Sequence, residues 1–317
     1  MTLFLTESDV ENLLTMPDAL RLVEDALHEL GEARATNRPR QRVRVPNGIL
    51  NLMPAGLPSR GYLGFKYYSS FRPRTRFWFH LLDANNGDVL AIMQADRLGQ
   101  QRTGAASGVA TKYLARADAT NVGIIGAGWQ AESQLEAVGA VRAIRVVRCY
   151  SRDAARRQMF AEKMRTRLNV DVRGVESAEE AVREADIVVT ATSSREPVLR
   201  GEWLAPGAHL NVVGSNRADA REVDDATLNR SAFVCVDSVE QARIEAGDLI
   251  SPIERGVFSW ERVRELGDLV SGRLEGRANR ADLTLFKSIG IALEDVAVGA
   301  WVYERARERG IGREIEL

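Results

Sequence analysis

Apolar positions near the N-terminus recur at helical spacing, and the chain then changes to the period of strands. Pro17 stands where a helix can start, and Leu20, Val23, Leu27 and Leu30 follow on one face until Gly31 closes the segment. Strand-like stretches come next at 41–45, 49–53 and 62–68. Two more, 77–82 and 89–93, flank Asp83-Ala84-Asn85-Asn86-Gly87, whose Asn-Gly pair is a strong hairpin signal. The small residues after Arg102 predict a helix from there to about Leu114, with Thr103 as its N-cap. From Asn121 strand and helix alternate: strands at 122–125, 144–150, 170–175 and 187–192, with helices at 130–141, 154–165 and 178–185 between them. Further strands are expected at 209–213 and 233–236. Unbroken apolar runs such as Ile187-Val188-Val189 suit strands covered on both faces. A last helix, about 283–309, is long enough to leave this sheet and pack back on the first third.

The alternation predicts an α/β protein: a Rossmann-type doubly wound parallel sheet with an α+β domain beside it. At 317 residues the chain exceeds what one compact core usually holds. The expected domains are 1–115 with 290–317, and 116–289.

The strand at 122–125 runs straight into Gly126-Ala127-Gly128-Trp129-Gln130-Ala131, the G-x-G-x-x-A form of a dinucleotide fingerprint. Gly126 allows the tight turn, Gly128 lets backbone approach a pyrophosphate, and Ala131 lets the helix pack on its strand. The helix N-terminus then points free N–H groups at the phosphates. Gly126, Ala127, Gly128, Trp129 and Gln130 are therefore candidate contacts for a nicotinamide or flavin dinucleotide, and Thr192 and Gly214, at later strand ends, are further ones. An acidic residue about 20 positions past the turn binds the 2′-hydroxyl of NAD. Here Ser151 and Arg152 end the second strand and suit a 2′-phosphate, so NADP(H) is favoured. Asp153 and a solvent-facing Arg152 keep NAD(H) open.

Composition adds few constraints. Hydrophobic residues make up 45% and charged residues 27%, with a formal net charge of −1, so no polyanionic partner such as nucleic acid is expected. The N-terminus lacks a basic n-region, and no apolar run approaches the about 20 residues of a membrane span. Cys149 and Cys235 fall in predicted strands, as buried thiols rather than a disulfide, and the cytoplasm is the expected compartment. His28, His80 and His209 lack metal-ligand spacing, so no metal is expected; His80 has the chemistry to supply a proton but reads first as a strand histidine.

Met53-Pro54, Gly64-Phe65-Lys66, Arg102-Thr103-Gly-Ala-Ala-Ser, Gly126-Ala-Gly128, Val213-Gly214 and Leu285-Phe-Lys-Ser288 stand in one order along the chain. In this order the sequence resembles the ornithine cyclodeaminases, with mu-crystallin-type ketimine reductases and archaeal-type alanine dehydrogenases. The resemblance implies a homodimer joined through the first domain, which also binds substrate, and hydride exchange between nicotinamide C4 and an amino-acid Cα. It adds Thr103 and Ser288 as cofactor contacts and makes Lys66 the lysine near the substrate carboxylate and reacting nitrogen, with an ordinary surface lysine as the alternative. Arginine grips a carboxylate with its planar fork, and Arg102, read at a helix mouth, is the first choice of clamp. Arg40 matches a second carboxylate-binding arginine, while Arg42 and Arg44 share its alternation and stay open.

Two departures separate this chain from the cyclodeaminase pattern. Asn51 stands where a glutamate precedes the Met-Pro pair, and Asn216 where a catalytic aspartate follows Val-Gly. An amide cannot take a proton, so Asn216 can orient substrate or water but cannot be a general base. Cyclodeamination needs several proton transfers, whereas imine reduction needs a hydride and one protonated nitrogen. The expectation is an NAD(P)H-dependent oxidoreductase of α-amino or α-imino acids, with Lys66, Arg102 and Asn216 catalytic and Arg40, Asn51, Lys66 and Arg102 on the substrate. Ornithine cyclodeamination to proline and ammonia, and an inert NADPH-binding role of the mu-crystallin kind, are the alternatives. The basic run at 69–76 hints at an acidic substrate tail but reads first as a solvated loop.

Overall fold

The computed structural model describes residues 1–316, and its contacts divide them into two units: Met1–Thr103 with Gly290 onward, and Gly104–Ile289. Elements are numbered along the chain. The first unit opens with β1 (Thr2–Leu5), α1 (Glu7–Leu13) and α2 (Met16–Gly31). Thr6 caps α1 through a capping box with Asp9, and Thr15 caps α2 by accepting from the Asp18 amide. There follow β2 (Thr36–Asn37), β3 (Gln41–Val45), β4 (Gly48–Leu57), β5 (Tyr62–Phe71), β6 (Arg74–Asp83) and β7 (Val89–Gln94). The chain returns to this unit as α11 (Ala292–Arg309) and β16 (Arg313–Ile315). One sheet runs β16-β1-β7-β6-β5-β4-β2 with β3 beside β4, antiparallel throughout except for β1 against β7. Helix α11 lies against β4, β5 and α2. The small residues Ala297, Gly299 and Ala300 let it approach the sheet closely; a Cβ on Gly299 would come within 2.3 Å of the Phe79 ring.

Helix α3 (Asp96–Leu114) runs through the division at Thr103–Gly104, inside a helix rather than at residue 115. The expected helix start at Arg102 is corrected by this. The backbone N–H groups of Asp96 and Arg97 donate to the Glu7 carboxylate, so a side chain distant in sequence caps the helix a turn and a half earlier. Thr103 is consequently no N-cap; its hydroxyl donates to the Gly99 carbonyl one turn back, at 2.7 Å.

The second unit alternates β8 (Asn121–Ile125), α4 (Trp129–Val141), β9 (Val146–Tyr150), α5 (Ala154–Leu168), β10 (Asp171–Gly174), α6 (Ala178–Val182), β11 (Ile187–Thr190) and β12 (His209–Val212). It continues as α7 (Asp225–Arg230), β13 (Ser231–Val236), α8 (Val239–Glu245), α9 (Gly247–Glu254), β14 (Val263–Glu265), α10 (Leu266–Val270) and β15 (Leu283–Lys287). Its sheet is parallel throughout, in the order β10-β9-β8-β11-β12-β15-β13-β14, and the order reverses between β8 and β11. This is the doubly wound arrangement, with apolar cores on both faces. Residues 283–287, expected to begin the last helix, form an inner strand instead. All five are buried between β12 and β13, as suits a strand bonded on both edges and covered on both faces. Among the described residues no helix is long and apolar enough to cross a membrane.

Candidate active site

In the first unit, strand pairing collects charge on one face of the sheet. Lys66 of β5 stands opposite Met53 of β4, and Asn51 opposite both Arg42 and Tyr68, so Arg42, Asn51, Met53, Lys66 and Tyr68 share the face that α11 covers. Arg40, just before β3, is buried, donating to the Gly290 carbonyl at 3.2 Å and to Met53 Sδ at 3.3 Å. Along the same alternation Arg42 is half-buried and Arg44 exposed, so burial singles out Arg40.

Two acids of α11 complete the cluster. Lys66 Nζ lies 2.8 and 2.7 Å from the two carboxylate oxygens of Asp295. Arg102 donates from Nε to Asp295 at 3.0 Å and from Nη1 to Glu294 at 2.8 Å. Gly290, with φ of 73°, permits this arrangement, since a Cβ there would sit 2.5 Å from the Arg102 guanidinium. Burial pushes the Lys66 ammonium down to about 7; the Arg102 charge acts in the same direction, and Asp295 opposes both. A Cβ built on Gly99 would meet only Lys66 Nζ, at 3.8 Å, which leaves open space beside the ammonium. Asn51 is buried and donates to the Tyr68 carbonyl at 3.4 Å. The charged side chains buried in this unit are Arg40, Lys66, Arg102, Glu294 and Asp295. The helix-mouth potential invoked for Arg102 is absent, because Arg102 lies mid-helix; two carboxylates orient it instead.

In the second unit the glycine-rich turn follows β8. Gly126 has φ of 117°, and a Cβ there would lie 2.3 Å from the Ala191 carbonyl oxygen, so only glycine fits. Gly128 is the N-cap of α4 without a side-chain capping bond, and a Cβ on it would meet nothing within 4 Å. Uncapped N–H groups facing open space suit the pyrophosphate of a dinucleotide. Ala127 and Gln130 flank this turn half-buried, with Gln130 Oε1 lacking a hydrogen-bond partner, and Trp129 is exposed. At the end of β9 the Asp153 carboxylate is engaged as the cap of α5, bonded to the Arg156 amide at 3.0 Å. Arg152 is exposed, and the Ser151 carbonyl accepts from Arg157 at 3.0 Å. Thr192 and Gly214 follow the ends of β11 and β12, and both donate backbone N–H groups to Glu222, at 2.7 and 2.6 Å. Ser288 is buried and donates to Asp237 at 3.2 Å. Asn216 is half-buried in the loop after β12.

His80 stacks on Phe65 with ring centroids 4.7 Å apart, and burial lowers its pKa. His209 is fully buried between Thr284 and Asn211 and pushed down to about 3. Arg72, Arg74 and Arg76 are exposed at the β5–β6 hairpin. Glu294, Asp295, Glu222, Asp248 and Lys287 escaped the sequence analysis as site residues. Only Lys287 left a trace, inside the Leu285-Phe-Lys-Ser288 motif.

A doubly wound sheet with a phosphate-receiving turn, joined to a unit holding a buried cationic cluster, defines a dinucleotide-dependent enzyme class. The chain belongs to the ornithine cyclodeaminase/mu-crystallin family, whose sequence profile matches residues 1–310. It is similar to the Thermococcus litoralis Δ1-pyrroline-2-carboxylate reductase, solved in complex with NADH and L-proline: 40% identity, 99% of this chain and 100% of that one, TM-score 0.95. An archaeal alanine dehydrogenase dimer with bound NAD is 34% identical over 100% of this chain and 99% of its own, with TM-score 0.94. The Δ1-pyrroline-2-carboxylate reductase of Bacillus cereus is 35% identical over 325 residues, 99% of this chain and 100% of its own.

Proposed function

We propose that the protein is an NAD(P)H-dependent oxidoreductase of the C–N bond in α-amino and α-imino acids, working chiefly as a reductase of a cyclic imino acid such as pyrroline- or piperideine-2-carboxylate. The observation that carries this is the buried charged cluster of the first unit. Arg40, Lys66 and Arg102 are buried there with Glu294 and Asp295, and the two acids hold Lys66 and Arg102 in place. Guanidinium forks and an ammonium shielded from water suit a substrate carboxylate and the nitrogen beside it. The similarity to reductases solved or named with pyrroline-2-carboxylate chemistry supports the same substrate class.

In this mechanism Arg40 and Arg102 hold the carboxylate, and Asp295 and Glu294 keep Arg102 and Lys66 in place. The nicotinamide, when bound, supplies a hydride to the imine carbon. The Lys66 ammonium gives its proton to the imine nitrogen and regains one from solvent, so C=N becomes CH–NH. Asn51 and Asn216 orient substrate or water without taking protons, which favours simple reduction over cyclodeamination. Gly126, Gly128 and the start of α4 take the pyrophosphate. Since Asp153 is occupied as a cap, Ser151 and Arg152 are assigned to the adenosine 2′-phosphate, with NADPH preferred and NADH accepted. Arg152→Ala is then expected to raise the KM for NADPH about tenfold or more while leaving that for NADH nearly unchanged, as loss of a bond to a charged group implies. Equal KM changes for both would remove the assignment.

We also assign a homodimer to the outer face of the first sheet. There Val43 stands opposite Leu50, and Gly48 lies between Val45 and Phe71, all on one face, with Val43 60% and Phe71 44% exposed. A second copy is the assigned occupant; the archaeal alanine dehydrogenase similar to this chain is itself a dimer. Light scattering at about twice the 35.0 kDa chain mass is the expected result, and a monomer at micromolar concentration rejects it.

The activity test mixes the purified protein with NADPH or NADH and either cyclic imine, and follows loss of reduced-nicotinamide absorbance. Stoichiometric consumption is expected. Ammonia release from L-ornithine with only catalytic NAD would instead establish the cyclodeaminase reaction.

A further inference from the structure

The second unit contains a buried ionic network that the proposed reaction leaves without a role. Glu222, Asp248 and Lys287 are each buried to within 1% of full occlusion. The Glu222 carboxylate accepts four bonds: from Thr190 Oγ1 at 2.9 Å, Thr192 N at 2.7 Å, Thr192 Oγ1 at 2.8 Å and Gly214 N at 2.6 Å. The two backbone amides can only donate, so the Glu222 carboxylate serves them as an acceptor through both oxygens, while burial, opposed by the Lys287 charge, pushes its pKa up. Asp248 in turn fixes the Glu222 backbone, accepting from its amide at 2.6 Å and from that of Val223 at 3.1 Å. Lys287 pairs with Asp248 at 3.1 Å and donates to the Ser215 carbonyl at 2.6 Å. The loop after β12 is thus gripped at the Gly214 amide by Glu222 and at the Ser215 carbonyl by Lys287, immediately before Asn216. Gly214 itself is exposed, while a Cβ on it would collide with both Glu222 Oε1 and the Thr192 carbonyl at 2.3 Å.

Packing alone does not call for this. An apolar set of similar volume is often as stable as a buried ion pair, so the network earns its place through the shape it imposes. The two loops it ties follow the carboxyl ends of neighbouring strands, where open α/β sheets take their ligands.

We propose that Glu222, braced by Asp248 and Lys287, is a positioning residue for the dinucleotide, locking the Thr192 and Gly214 strand-end loops in the form that receives it. The inference rests on assigning the dinucleotide to this unit. Its test is Glu222→Gln, which keeps volume but, in either orientation of the amide, turns its N–H₂ toward a donor-only backbone N–H, that of Thr192 or of Gly214. In the full-length variant, the Kd for NADH by fluorescence titration is expected to rise about tenfold or more. Amide exchange at Thr192 and Gly214 in the dinucleotide-free protein is expected to quicken while β8 and β11 stay protected. A folded variant with unchanged NADH affinity overturns the inference, and so does unchanged exchange at those two amides. If Glu222→Gln is recovered unfolded, Thr190→Val removes a single donor, and about threefold weaker NADH binding is expected; unchanged affinity there overturns the inference equally. Failure of the wild-type protein to bind either NADH or NADPH instead removes the dinucleotide assignment, and this inference with it.

Discussion

Lys66→Met is expected to lower kcat for imino-acid reduction by about 10²- to 10⁴-fold, the range carried by a positioned general acid. Methionine keeps the length and apolar stem of the side chain, so packing between β5 and α11 survives while the proton source is lost. The pH profile separates this from mere loss of charge. Burial, first, and the neighbouring Arg102 charge hold Lys66 at about 7 despite the Asp295 carboxylate. Reduction uses the protonated form, so kcat/KM should be level below about pH 7 and fall tenfold per unit above it. Oxidation of the amino acid uses the neutral form and should rise toward the same pH, then level. Lys66→Arg retains a cation that cannot release its proton, so substrate binding should persist while the rate and the limb near 7 are both lost. A wild-type profile retained in Lys66→Arg would assign the proton to another group.

The second unit was readable because its signals are local. A strand, a glycine turn and a helix follow one another within 122–141, and later strands such as those at 187–190 and 231–236 contain short apolar runs. The Asn86-Gly87 turn between β6 and β7 was equally plain, with Gly87 at φ of 81°. What failed to register depends on partners far along the chain. Residues 96–101 are polar apart from Leu98 and Gly99, so a helix start is hard to see there, and the cap that fixes it is Glu7. Leu283–Lys287, Leu-Thr-Leu-Phe-Lys, is too short and too mixed for its period to separate strand from helix, and both its faces are covered.

The site divides along the same line. Lys66, Arg102 and Arg40 could be nominated from motif order, and the arginine alternation became decidable only through the β3–β4 register and the burial gradient from Arg40 to Arg44. Glu294 and Asp295 were invisible for a physical reason. Acids in the first turn of an amphipathic helix ordinarily complement the helix dipole at the surface, and nothing local says that these two are fully buried. Their partners arrive from residues 66 and 102. Glu222 is hidden likewise, its four donors coming from the ends of two strands earlier in the chain.

Asp295→Ala is expected to be the most destabilising single change in the first unit, by about 3–5 kcal/mol, because it strips a buried partner from two cations at once. The two cations relax differently. Arg102 cannot deprotonate and keeps only Glu294 among its two carboxylates. Lys66 can, and removing the group that raises its pKa must move it further below about 7. Asp295→Asn, which preserves shape, should therefore shift the limb of the reduction profile to lower pH and leave most Lys66 neutral, and so inactive as an acid, at pH 7. Because neutral Lys66 no longer needs its partner, the Asn substitution should cost less in a Lys66→Met background than in the wild type. A double-mutant cycle by denaturant unfolding at neutral pH is expected to give a coupling of about 1–3 kcal/mol. Strict additivity, with the pH limb unmoved in Asp295→Asn, would mean that the 2.7 Å ion pair does not govern the lysine. The proton would then have to be traced to solvent or to the substrate itself.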